Sequence, residues 1–298
     1  MEGRPTPFER FCAPARPTNQ VWRVILGIVL IFVIYAALIG LAAGAVLLAL
    51  GQERFLAGAS QILDTPSGVL ILLGTFAGLA IGASLTTRWL HRRPASTLFG
   101  PGPRVVRDFV RCGMAVSGIY IVGLIVVFVT DTPVPNVSSA TWLLVLPLTL
   151  IGLLVQTGAE EMVFRGYLQQ QLGARFRSPF FWMVLPSVLF GLIHFDPGSA
   201  QASAASAAAY ILVATTVFGL IAADLTARTG SIGAAWGFHF TNNFFALSIV
   251  AMDGTITGLS LYLTPYTLGE APLSPTTLIT DAAVVILAWL ICRRVTRR

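Results

Sequence analysis

Eight stretches of this chain are apolar for about the length of a membrane crossing, and that constrains everything else. They run over roughly 24–50, 68–90, 112–130, 142–170, 179–195, 206–227, 231–250 and 277–292. A helix needs about 20 mostly apolar residues to cross the hydrocarbon, where the backbone must satisfy its own hydrogen bonds. The fifth and eighth stretches are short and need flanking residues to complete a crossing. The fourth is the opposite: from Thr141 to about Phe176 no proline follows Pro147. About 36 helical residues reach ~54 Å, far beyond the hydrocarbon thickness. Such a helix must tilt, kink or leave the membrane. The first stretch is too long for a signal-peptide core and no convincing cleavage site follows it, so it reads as retained. Of the 298 residues, 55% are hydrophobic and 11% charged, against about 25% charged in a soluble domain. This excludes a disordered chain, a collagen-like or disulfide scaffold, and a soluble globular fold. The expectation is an all-α polytopic membrane protein with about eight transmembrane helices.

The basic residues set its orientation, and all 19 are arginine. Arg4, Arg10, Arg16 and Arg23 precede the first stretch, and Arg88, Arg92, Arg93, Arg104, Arg107 and Arg111 lie between the second and third. Arg175 and Arg177 come before the fifth, Arg228 after the sixth, and Arg293, Arg294, Arg297 and Arg298 in the tail. With eight crossings, these 17 fall on one side. The other side holds only Arg54, beside Glu53, Asp64, Asp131, Asp196, Asp253 and Glu270. The positive-inside rule then makes both termini cytoplasmic. The net charge of +6 reads as topology and lipid headgroup contact, with no nucleic-acid partner. Cys12, Cys112 and Cys292 fall at cytoplasmic ends, where thiols stay reduced, and none has zinc-ligand spacing. The runs Gly40–Gly44 and Gly74–Gly78–Gly82 are small-xxx-small patterns suited to close helix packing. The Ala/Ser run 199–209 carries no chemistry.

Arg165 is left inside the fourth stretch, among ionisable groups that cost too much in a membrane to be idle: Glu160, Glu161, Arg165, His194, Asp224, His239 and Asp281. Asp224 precedes Arg228 by four residues, the spacing of a helix-end ion pair. Asp281 can reach the interface. Glu161 and Arg165 also stand four apart and neutralise each other, which leaves Glu160 about 100° round the helix with no local partner. A free carboxylate in an apolar surround suits taking and giving protons. His239 and Asn243 share one helix face, as do Phe190 and His194. Counted from Arg175, Ser178 and Arg228, the three groups Glu160, His194 and His239 lie at depths of roughly 16 to 24 Å, close enough to converge, although His194 also lies near Asp196 and the outer face. Such a set suits attack of water on a carbonyl, with Glu160 as base and Asn243 and a histidine N–H donating to the oxyanion. Alternatively Glu160, His194 and His239 could hold a divalent metal, zinc among them. No H-E-x-x-H, serine triad or nearby cysteine is present, and spacing does not decide between metal and direct base.

Glu160-Glu161-Met-Val-Phe-Arg165, Phe190-Gly-Leu-Ile-His194 and His239-Phe-Thr-Asn-Asn243 resemble the three motifs EExxxR, FxxxH and HxxxN of the CPBP intramembrane proteases. That family includes CAAX prenyl endopeptidases and bacteriocin-processing or immunity proteins. The resemblance covers about 142–250. It implies an all-α membrane core with a site between helices. It implies that Glu160 and His194 activate water, that His239 and Asn243 stabilise the oxyanion, and that Glu161, Arg165 and Phe190 support the site. Members are commonly labelled metalloproteases, and a metal-free glutamate mechanism has also been proposed, so the cofactor is none or a divalent metal. The expected organisation is a single membrane domain, 1–298, with a cytoplasmic arm over 1–23 and three motif-free helices over 24–130. A catalytic-motif core over 142–250 and a last helix with basic tail over 277–298 complete it. The expected partners are the lipid bilayer and a membrane-embedded or lipidated peptide or protein substrate; oligomeric state is not read. An all-arginine, alanine-rich chain points to a GC-rich genome and a bacterial cytoplasmic membrane. A non-catalytic membrane binding or immunity protein is the alternative, and a proton-relay transporter a third.

Overall fold

The computed structural model describes residues 4–195, 205–267, 269–271 and 275–297. Asp196, residues 199–204 of the Ala/Ser run and Arg298 lie outside them. The arm is structured: Thr6 caps α1 (Pro7–Cys12) in a reciprocal box with Glu9. The backbone N–H and hydroxyl of Thr6 hold the exposed Glu9 carboxyl below its usual range. A single turn, Ala13–Thr18, follows. Then come α2 (Val21–Leu50), α3 (Gln52–Ser60), α4 (Pro66–His91) and α5 (Gly102–Thr130).

The long fourth stretch is one rod over Ser139–Arg175. It opens as α6 (Ser139–Glu161), widens to π winding over Met162–Gln169, and ends as α7 (Gln170–Arg175). A π turn, Phe180–Val184, leads into α8 (Leu185–Ile193). The remaining helices are α9 (Ala205–Thr229), α10 (Gly233–Phe244) with a π turn over Phe245–Ile249, and α11 (Pro275–Val295). Thus each of the eight expected stretches is mostly helical where described, with Ser231, Ile232, Val250, His194 and Phe195 outside the helices. Val21–Leu50, Pro66–His91, Gly102–Thr130, Ser139–Arg175 and Ala208–Thr229 are long and apolar enough to cross a membrane; Phe180–Ile193 is apolar but shorter. Ile25, Leu41, Leu48, Val129 and Leu144 are exposed on these helices, as bilayer-facing flanks require and soluble surfaces do not tolerate in such numbers.

Contacts between the loops define two ends of the bundle. At one, the Gly230 backbone abuts Pro7, Gly100 abuts Ser231, the Arg104 guanidinium donates to the Thr229 carbonyl, and Phe8 packs on Trp182 at 4.3 Å. Arg111 reaches the Val295 carbonyl of the tail. The arginine-bearing segments therefore meet at a single end. At the other end a small sheet, absent from the sequence expectations, joins β1 (Val134–Pro135), β2 (Val250–Asp253) and β3 (Tyr262–Thr267). Central β3 runs antiparallel to β1, with Leu263 opposite Val134, and parallel to β2. The Thr257 and Gly258 amides donate to the Leu63 carbonyl there, and Trp142 donates to Ser248.

Helix α10 is clamped between α5 and α6. A Cβ on Gly237 would stand 2.2 Å from the Phe109 carbonyl oxygen, and one on Gly158 2.8 Å from the Trp236 ring, whose N–H donates to Thr157 at 3.1 Å. The small-xxx-small expectation needs correction. Gly78 and Gly82 do press against α2, but Cβ atoms on Gly40, Gly44 and Gly74 would meet nothing within 4 Å.

Candidate active site

The rod, α8 and α10 bring most of the expected residues together. Glu160 and Glu161 end α6 at 4% and 0% exposure, Arg165 sits in the π stretch at 2%, and His239 faces them from α10 at 3%. Arg165 Nη1 donates to Glu161 Oε1 at 3.0 Å, the expected pair, and its Nη2 reaches the Gly219 carbonyl at 3.4 Å. His239 Nδ1 lies 2.9 Å from the same Glu161 oxygen. A carboxylate accepts, so Nδ1 carries the proton and Nε2 is left facing Glu160 Oε2 at 3.5 Å.

The expectation that Glu160 lacks a local partner is corrected. Gln156, one turn earlier, donates from Nε2 to Glu160 Oε1 at 2.7 Å, and its own Oε1 accepts from Asn243 Nδ2 at 2.9 Å. Asn243 Oδ1 in turn accepts from Asn242 at 3.1 Å, and the Tyr120 hydroxyl of α5 donates to Asn242. The chain runs in one direction from Tyr120 to the carboxylate, so each amide can point only one way, and each bond polarises the next. Glu160 Oε2 stays buried and, among the described residues, has no hydrogen-bond partner. Gln156, Asn242 and Tyr120 were not among the expected site residues. Their signal was a polar residue in an apolar span four before Glu160, and a tyrosine whose hydroxyl needs a partner once buried.

His194 stands apart. It is exposed at the end of α8 and its Nδ1 donates to the Phe190 carbonyl at 2.7 Å. Phe190 joins the two halves through its ring, 4.5 Å from His194, 5.9 Å from His239 and 4.8 Å beneath the Arg165 guanidinium. Phe218 packs on His239 at 5.0 Å and stacks on Phe190 at 5.9 Å. Glu160, His194 and His239 are not gathered as a metal set: among the described residues no three His, Cys, Asp or Glu are placed to hold a metal ion. The two acids given structural roles behave so. Asp224 pairs with Arg228 at 2.8 Å and accepts from Trp289, and Asp281 accepts from Tyr210 at 2.6 Å.

Residues 141–245 match the family model described as Rce1-like, type II CAAX prenyl endopeptidase Rce1-like. This segment is similar to the Rce1-like family. It contains Gln156 and every expected site residue, from Glu160 to Asn243, and leaves Tyr120 on a helix outside it. The chain is also similar to the uncharacterized protein YyaK of Bacillus subtilis (strain 168), 28% identical over 186 residues that cover 59% of each chain. The matched region thus spans about three fifths of that relative's length. No solved structure matches. Within the matched segment the first motif lies on the rod, the second runs along α8 to its C-cap His194, and the third lies on α10.

Proposed function

We propose that this chain is an intramembrane endopeptidase that adds water across a peptide bond of a membrane-associated or lipidated substrate in the bacterial cytoplasmic membrane. The observation that carries the proposal is Glu160 within the Rce1-like segment: a buried carboxylate with one oxygen held by Gln156 and the other unpartnered beside His239 Nε2. The bond from Gln156 fixes the carboxylate plane, so Oε2 is the atom that meets a water. Oε2 takes a proton as the water oxygen bonds to the carbonyl carbon. The C–N bond then breaks and the same proton passes to the departing amine, leaving a carboxylic acid and an amine. His239, in its protonated form, donates from Nε2 to the oxyanion, and the second amide N–H of Asn243 adds a donor. Glu161 stabilises that imidazolium through Nδ1, while Arg165 compensates Glu161. His194 is assigned the orienting of that water: its Nδ1–H is occupied by the Phe190 carbonyl, so Nε2 can accept a hydrogen bond from the O–H that Glu160 does not take.

The test uses full-length protein in detergent, with a farnesylated CAAX peptide and its unprenylated counterpart as probes and products read by mass spectrometry. Glu160→Gln and His194→Ala should each abolish cleavage while melting as the wild type does. Full activity in both variants would overturn the assignment. Wild-type protein that binds the peptides without cutting them, and binds equally as Glu160→Gln, would favour the binding or immunity reading instead.

A further inference from the structure

The end of α4 carries a group that the proposed hydrolysis does not use. Arg93 is 6% exposed, and its Nη1 donates to Thr97 Oγ1 at 2.6 Å, yet Nε and Nη2 are buried without a partner. Those two donors are the side-on edge of the guanidinium, parallel N–H bonds spaced for two oxygens of one phosphate or carboxylate. No ion pair among the described residues includes Arg88, Arg92 or Arg93. The three line one open hollow of about 360 Å³ with Pro94. Arg92 adopts the left-handed conformation at φ 52°, which is uncommon for a side chain of its size and turns the chain sharply between the helix and Arg93. Exposed Trp89 follows Arg88 in the last turn of the membrane-length helix α4, where interfacial aromatics mark headgroup level.

The second arginine-lined hollow, which includes Arg228, Arg293 and Arg297, differs in that Arg228 and Arg293 both face Asp224. Burial lowers the Arg93 guanidinium to about 10, which leaves it charged at neutral pH. The hollow that Arg93 lines has no carboxylate among its lining residues, and the paired Nε and Nη2 donors of that guanidinium have no hydrogen-bond partner among the described residues, a pattern that matches an anion with paired oxygens.

We propose that Arg88, Arg92 and Arg93 form a binding site for a phosphate group, supplied by an anionic lipid headgroup or by free phosphate. Arg93 grips two oxygens side-on, and the exposed Arg88 and Arg92 close over the rest. The site is tied to the rod, because the Thr97 carbonyl accepts from Gln170 of α7 at 2.8 Å.

Native mass spectrometry of the full chain in neutral micelles, titrated with phosphatidylglycerol and separately with phosphatidylcholine, tests it. Thermal shift with inorganic phosphate is the second arm. Arg93→Gln and the exposed pair Arg88→Gln/Arg92→Gln should each weaken the bound species about tenfold; the exposed pair keeps the test open if the buried variant fails to fold. A phosphatidylglycerol adduct lost in the variants, with no effect of phosphate, assigns the site to a headgroup. Stabilisation by phosphate that the variants lose assigns it to the free ion. Binding that is equal for both lipids, unchanged in the variants and unmatched by phosphate overturns the site.

Discussion

Glu161 answers two donors with one oxygen. Arg165 and His239 both bond Oε1, at 3.0 and 2.9 Å, the first from Glu161's own rod and the second from α10. Replacing Glu161 with alanine would strand a guanidinium that is 2% exposed. Breaking a buried pair in this way costs about 3–5 kcal/mol, so Glu161→Ala should melt well below the wild type in detergent; an unchanged melting temperature would deny the pairing its structural role. Gln156 makes the complementary case. Gln156→Met keeps the volume but removes both the donor to Glu160 and the acceptor for Asn243. It should lower kcat by about a hundredfold, the lower end for losing one positioned donor, and lower the melting temperature modestly, because a buried acceptor and donor lose their partner. A loss of stability without loss of kcat would make Gln156 a packing residue only. At this scale the sequence was legible where partners share one helix at a spacing of four, as with Glu161 and Arg165 or Asp224 and Arg228. It was not legible where a partner is a neutral amide among apolar neighbours, as with Gln156, or where the partner comes from another helix, as with His239 and Glu161.

Helix α10 is held at its two faces by glycines of different kinds. Gly158 lies against the edge of an indole, which can swing. Gly237 lies against the Phe109 backbone, which cannot. Gly237→Ala should therefore force α10 away from α5 at a cost of about 1–3 kcal/mol, read as a lower melting temperature, and should cost activity by moving His239. Normal melting and activity would show that the helices separate freely. The elements themselves were readable from long apolar stretches, because lipid allows the backbone few alternatives. The three-stranded sheet was not, since strands of two to six residues show no usable alternation. Nor was the π winding after Glu161. Its residues are those of an ordinary helix, and its register is set by neighbours packed on every side.

Across the whole molecule the segments that carry Arg104, Arg111, Arg228 and the tail arginines meet at one end and the sheet lies at the other; a common side for both termini is the expectation to be tested. Cysteines placed at exposed Ser96 and Asp253 should react with an impermeant maleimide from opposite faces: Ser96→Cys only in inside-out vesicles, Asp253→Cys only in right-side-out ones. The native cysteines are buried and leave the background low. Labelling of both from one side would break the topology. The π-wound stretch Met162–Gln169 has a different kind of consequence. All eight of its residues are buried, so this part of the rod has no outer flank on which change passes unnoticed. Along α2, by contrast, many apolar side chains meet only the surroundings, and one aliphatic residue there can stand for another. Mutational drift should thus run fast over the first crossing and nearly stop over these eight positions, even at those that never touch a substrate.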